Sequence, residues 1–405
     1  MIEQIPTDKI VGINSVPQIF YPTLPHGTEY RFCVFGIAMP DKVDKVASPT
    51  TVLVHGGSEL VHVTVDAYNA ELRTADGFVG DRASKRAFQS ILDEWRERLS
   101  DMGVDPLGDA ESDDLSKKQL DKILKEGEPE AAGVIHSAIE EFAQEFVAVI
   151  RRFLRLKEWE DTECIVVGGG LRQSRIGELA IGRAAVELKG RGIDIELRLI
   201  RYPSDHAGLV GSVHLVPSWM LAGHDSIIAA DIGGTNIRAG MVHLNLDEAP
   251  DLSAASVGAV ELWRHSDDAP KRDEAVERLI GFFKGLIKRA NKDGHQLAPF
   301  IAIGCPGVIR PDGTIEKGGQ NLPGNWEAKS FNLVQEVCGA IPTIGDHETV
   351  VLMHNDAVVQ GLSELPWMRD VTSWGVMTIG TGLGNAHFKN KERREKSRRK
   401  NGAKK

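Results

Sequence analysis

The stretch Asp231-Ile-Gly-Gly-Thr-Asn236 lies between two strand-like apolar runs, 226–230 and 238–244, and constrains the fold more than any other feature of the chain. Its glycines let the backbone reverse tightly and bring N–H groups up to an anion with no Cβ in the way. Thr235 adds a hydroxyl donor, Asn236 ends the turn, and Asp231 at the strand end can hold a hydrated Mg ion. Read alone, the same residues also make an ordinary hairpin.

Gly380-Thr-Gly-Leu-Gly384 repeats the arrangement after the strand-like Met377-Thr-Ile379. Two such loops facing each other, with Thr381 and Gly382 opposite Gly233, Gly234 and Thr235, can grip a triphosphate from both sides. His354-Asn-Asp-Ala357 opens an expected helix running to Leu365, so Asp356 stands at a helix N-terminus, where the dipole favours its ionised form. Phosphoryl transfer to a hydroxyl needs such a carboxylate to orient the nucleophile and accept its proton. A plain helix cap is the equal alternative. Gly304-Cys-Pro-Gly307 and Gly318-Gly-Gln-Asn-Leu-Pro-Gly-Asn-Trp326 supply backbone turns typical of polar-ligand loops. Asn321 and Asn325 are candidates to bond hydroxyls, with Asx turns as the alternative, more so for Asn325.

At 405 residues, 41% hydrophobic and 26% charged, the chain has the composition of a soluble two-domain protein. No apolar run approaches the roughly 18–20 residues of a membrane helix, and the first residues lack the pattern of a secretory signal. A cytoplasmic protein with no membrane partner is expected. The four cysteines are scattered, with no close pair to fix two metal ligands. The net charge of −10 conceals an acidic body and a basic tail, because 389–405 holds ten basic and two acidic residues. The body argues against general nucleic-acid binding; the tail reads as a solvated, disordered charge run or as a lure for an acidic partner.

Prolines at 6, 17, 22, 25, 40 and 49 leave little room for helices in residues 1–50, an extension of unknown role with one expected strand, 30–36. Strands are expected at 52–57 and 60–65, an amphipathic helix at 82–99, an exposed acidic insertion at 101–114 and a long helix at 131–156. Glu163-Cys-Ile-Val-Val-Gly-Gly-Gly170 is a buried strand ending in a triple-glycine turn. A strand at 193–200 and a short helix at 204–211 follow, then a linker at 217–225. Beyond it come a helix at 272–289 and strands at 300–303 and 375–379.

Taken together, DIGGTN, CPGV, NLPGNW, NDA and GTGLG resemble, in this order, the N-terminal half of the ROK family of sugar kinases and sugar-responsive repressors. The match spans 226–388. The other half is found upstream, in 51–216: Glu59-Leu-Val-His-Val-Thr-Val65 resembles the family's Glu-x-Gly-His sugar segment, Ile165-Val-Val-Gly-Gly-Gly-Leu171 its adenosine segment, and Asp205-His-Ala-Gly-Leu-Val-Gly211 its closing helix. The halves stand in swapped order, as in a circular permutation joined through 217–225. Short polar joins between nearby termini cost little loop entropy.

The resemblance implies an α/β, two-domain actin-like ATPase (ribonuclease H-like) fold with the ligand cleft between domains. It implies an ATP- and Mg-dependent, glucokinase-like sugar kinase with Asp356 as general base. Asn321, Asn355, Glu59 and His62 would hold sugar hydroxyls. Asp231, Gly233, Gly234, Thr235, Asn236, Thr381 and Gly382 would surround Mg and phosphates, and Gly168, Gly169 and Gly170 would make room for adenosine. Glu59 and His62 have a surface strand pair as their bland alternative, and Val61 stands where the family has glycine. The zinc cysteines are missing from 66–81, so no structural metal is expected. A homodimer is the default expectation. A sugar sensor or pseudokinase without turnover, and a non-sugar ATPase or acyl-phosphate kinase, are the alternatives.

Overall fold

The computed structural model describes residues 53–75 and 77–391, which form a mixed α/β structure with two five-stranded sheets. The expected strand at 30–36 and most of the basic tail lie outside the described residues. The first sheet opens with β1 (Val63–Tyr68), β2 (Cys164–Gly168) and β3 (Glu196–Leu199). The second sheet then forms entirely from β4 (Ser226–Ile232), β5 (Ile237–His243), β6 (Ser256–Trp263), β7 (Leu297–Cys305) and β8 (Val350–Asn355). Last come β9 (Ser373–Ile379) and β10 (Leu383–Asn390), which complete the first sheet.

The orders are β1-β10-β9-β2-β3 and β8-β7-β4-β5-β6. In the second sheet β4, β5 and β6 are antiparallel neighbours, while β7 and β8 run parallel to β4. In the first, β9, β10 and β1 are antiparallel and β2 and β3 run parallel to β9. The two sheets therefore share one topology, each built outward from a glycine hairpin, β4-β5 in one and β9-β10 in the other. Both central strands, Ser226–Ile232 and Ser373–Ile379, are buried along their whole length, as strands covered on two faces must be.

Helices supply the covering layers. α1 (Lys85–Ser100), α2 (Lys117–Glu126), α3 (Pro129–Phe153) and α4 (Arg175–Gly190) cluster on the first sheet. Along α3 the residues Ala131, Val134, Ile135, Ala138, Ile139 and Phe142 are buried, the three-and-four spacing of an apolar stripe. α6 (Arg272–Asp293) and α7 (Leu333–Ala340) cover the outer face of the second sheet. Two short helices cross between the sheets. α5 (Ser204–Gly211) follows β3 yet packs on β4 and β5, and α8 (Asp356–Leu362) follows β8 yet packs on β9 and β10. Small residues permit this: Leu209 lies over Gly240, the Phe388 ring over Gly361, and Gly208 against Asp231.

Several expectations shift. Of the strand expected at 52–57, the described residues 53–57 form a turn that serves β8, with Gly56 N–H donating to the Met353 carbonyl at 3.0 Å and Met353 N–H donating to the His55 side chain at Nδ1, 3.1 Å away. The acidic stretch after α1 is anchored, because the Arg96 guanidinium bonds Asp105, Ser112 and the Gly108 carbonyl. It is followed by α2, whose start is fixed by a capping box between Ser116 and Gln119. β10 runs through Asn390 into the basic segment, where Lys389 pairs with Asp66 at 2.8 Å. Among the described residues, no helix is long and apolar enough to cross a membrane.

Candidate active site

The two hairpins meet. Thr235 Oγ1 and Thr381 Oγ1 are 3.0 Å apart, one from each sheet. They stand on a cavity of about 650 Å³, a volume usual for small-molecule sites. Asp231, Gly233, Gly234, Thr235 and Asn236 line one side of it, Gly380 to Gly384 another, and Asn321 and Asp356 stand on the wall as well. Each hairpin is braced: Gly233 N–H bonds the Asn236 carbonyl, the Gly233 carbonyl meets His265 Nε2 at 2.8 Å, and Lys85 N–H donates to the Gly380 carbonyl at 2.9 Å. Gly234 abuts Asn321, where a Cβ would come within 2.8 Å of the asparagine Cβ. The site thus has no room for a side chain at 234.

Asp231 ends β4 inside the protein. Burial pushes its carboxyl above the ordinary carboxylate range, and Asp205 adds to this, while Arg238 opposes it. Arg238 bridges the two acids, 2.6 Å from Asp205 and 3.7 Å from Asp231, so its charge is shared. Asp356 begins α8 with its Oδ1 accepting from Ala357 N–H at 2.9 Å. Burial, and then the like charge of Asp231, raise its pKa to about 7. A carboxyl poised near neutrality is suited to trading a proton. The strand end before it is held by His354, a neutral imidazole whose pKa burial lowers to about 4; its Nε2 bonds the Gly57 carbonyl and its Nδ1 accepts from Asn355 N–H.

The triple glycine after β2 turns into the same cavity through Gly169 and Gly170, while Gly168 stays within the strand. Gly169 has φ +88°, and a Cβ there would run into Ile379 of β9. Lys117 of α2 donates to the Gly170 carbonyl, bringing the helix expected by no pattern in the sequence onto the cavity wall.

Three residues singled out for sugar contacts stand elsewhere. Asn355 is spent as the cap of α8, its Oδ1 accepting from Ala357 and Val358 N–H and its Nδ2 donating to the Gly307 carbonyl at 3.0 Å. Glu59 and His62 occupy the turn entering β1 and do not line the cavity. Lys391 draws the Glu59 carboxylate outward at 2.9 Å, and Lys391 N–H bonds the His62 carbonyl. Asn325 makes an Asx turn, its Oδ1 accepting from Glu327 N–H at 3.0 Å. Cavity residues that sequence reasoning passed over include Arg238, Gln320, Gln360, Asn69 and Asn385. Arg238 was the legible one, a lone charge in an otherwise apolar strand.

No known protein-family profile matches the sequence. No curated protein matches it. Among solved structures it is similar to a protein assigned as a sugar kinase from Cytophaga hutchinsonii, with TM-score 0.31 and 19% identity over 41% of this chain and 48% of that one. It is similar to an exopolyphosphatase from the same organism, with TM-score 0.24 and 15% identity over 41% and 52% of the two chains. An exopolyphosphatase-like protein gives TM-score 0.28 and 14% identity over 62% of this chain and 90% of that one. The chain spans about half the length of the first two. Overlaps this partial do not place it in any of these groups.

Proposed function

We propose that this protein is an ATP-dependent sugar kinase of the actin-like ATPase fold, its ROK-type halves joined in permuted order. The observation that carries the reading is the contact at 3.0 Å between Thr235 and Thr381, hydroxyls of the corresponding hairpins of two like sheets, on a cavity that also holds Asp356. The shared strand order, with one sheet begun by 63–68 and finished by 373–390, supports the permutation.

The residues present suit a metal-bound nucleotide. Gly233, Gly234, Thr235, Gly380, Thr381 and Gly382 offer amides and hydroxyls with little side-chain bulk, and a buried acid at 231 beside only part of an arginine's charge suits a hydrated divalent ion. When bound, Mg would neutralise charge on the phosphates. Asp231 would orient the ion's water shell. Gly169 and Gly170 would leave space for the nucleoside, and Lys117 would close that end. Asp356 would orient the acceptor hydroxyl and take its proton, with Asn321 placing a neighbouring hydroxyl. Catalysis of this kind comes from alignment and charge stabilisation.

ADP formation measured with and without a sugar panel tests the reading. Sugar-stimulated turnover that Asp356→Ala abolishes is the expected result; turnover undiminished by the substitution would sink it. A second reading, an ATPase or phosphotransferase with a non-sugar acceptor, is favoured by the outward placement of Glu59 and His62, and predicts ADP formation indifferent to sugars.

A further inference from the structure

β1 does not simply end at Tyr68. Asn69 follows with φ +51°, in the left-handed region that asparagine tolerates better than most residues. The bend is fastened on both sides. Tyr68 donates its hydroxyl to the Ile309 carbonyl at 3.2 Å, and its ring meets His354 edge-on at 5.2 Å. Asn385 of β10, directly beyond the second hairpin, uses both ends of its amide on Ala70, accepting from its N–H at 2.9 Å and donating to its carbonyl at 3.1 Å. Asn69 N–H donates to the Asn385 carbonyl at 2.9 Å.

So tightly placed, the Asn69 side chain has an unused donor. Its Nδ2 is buried and has no hydrogen-bond partner among the described residues. Leaving a buried donor unsatisfied forfeits its bond to water with nothing in return, so a position fixed around one calls for a partner. Asn69 lines the same cavity as Asp356, Gln320 and Asn321. Its place is on the Asp356 side: Nδ2 lies 3.0 Å from where a Cβ at 318 would stand, Gly318 packs on Gly307, and the Gly307 carbonyl holds Asn355 at 3.0 Å, next in the chain to Asp356. Packed this closely, position 318 has no room for a side chain.

We infer that Asn69, with Gln320 and Asn321, forms the hydroxyl-binding subsite for the phosphate acceptor, a polyhydroxylated compound, in the place the sequence assigned to Glu59 and His62. The inference rests on the kinase reading for its substrate class. Three amides lining one cavity suit neutral hydroxyls, which both donate and accept, better than they suit a carboxylate or a phosphate.

The test uses the full chain and two variants. Asn69→Gly removes the amide and keeps the backbone free at positive φ; Asn69→Asp keeps the shape and replaces the donor with an acceptor. D-glucose, D-mannose, D-fructose and N-acetyl-D-glucosamine are titrated at saturating ATP, following both ADP formation and thermal stabilisation. Both variants should raise the KM of the stimulating sugar about tenfold or more, with kcat and the ATP KM within about twofold of the parent. A sugar that stabilises the parent and not Asn69→Gly, without stimulating turnover, supports the subsite while overturning the kinase reading. An unchanged sugar KM in both variants overturns the subsite and leaves the kinase reading standing. Failure of every sugar to stabilise or stimulate the parent overturns both.

Discussion

At the scale of single residues, the site is governed by two carboxyl groups held out of water. Asp356 has its pKa raised to about 7, first by burial and then by Asp231. In its proposed role as proton acceptor it must be ionised, so kcat/KM should rise with pH through about 7 and then level. Replacing Asp231 by asparagine removes the like charge, and the midpoint of that rise should move to lower pH, whatever happens to its height. The same group has a consequence for stability. Its folded pKa lies above its unfolded one, so the native state binds more protons between about pH 4 and 7 and loses stability as pH rises through that window. Asp356→Asn, which cannot ionise, should therefore unfold later than the parent above pH 7, by on the order of 2 kcal/mol, and show no advantage near pH 4. Denaturant melts at the two pH values check this, and the variant should lose about 100-fold or more in kcat.

At the scale of elements, function depends on where small residues let backbones touch. Gly211 at the end of α5 faces the Val359 carbonyl of α8 so closely that a Cβ would clash with it, and Gly169 combines positive φ with the same problem against β9. Alanine at either should cost about 2 kcal/mol or more, measured by denaturant melts, because the opposing atoms belong to backbone and cannot rotate away. Much at this scale was legible in the sequence. The buried run 164–168, the spaced apolar residues of α3 and the hairpins at 231 and 380 announce themselves through local pattern. The positions of Asp231 at a strand end and Asp356 at a helix start were legible in the same way. What stayed hidden depended on long-range partners: α2 is short and mostly polar, the outward turn of Glu59 is decided by Lys391 more than 300 residues away, and Asn69 matters only because Asn385 and Gly318 lie beside it. The type of Asn355 suits a sugar and a helix cap equally, and only its bonds to Ala357, Val358 and Gly307 show the amide spent within the protein.

At the scale of the whole molecule, the first sheet is drawn from distant parts of the chain. β1 and β10 are adjacent antiparallel strands, with Val63 opposite Asn390, so the segment after β10 lies beside the segment before β1. A rearranged chain running 226–391, then a flexible loop, then 54–225 should fold with a circular-dichroism spectrum and melting temperature close to those of the parent, since every strand pairing among the described residues survives, as do the bonds of His55, Gly56 and Gly57 to β8. A large loss of stability would show that the present order of the halves has become necessary.

That same arrangement sets a schedule during protein synthesis. β2 and β3 leave the ribosome well before β9, the strand between them and the rest of their sheet. Until about two hundred further residues have been translated, β2 keeps an open edge of unpaired amides and carbonyls along Cys164–Gly168, five residues that are buried in the folded protein. Such an edge is a template for wrong partners, and long-range pairings of this kind close slowly. A nascent chain of this protein is therefore expected to need that edge shielded until β9 arrives.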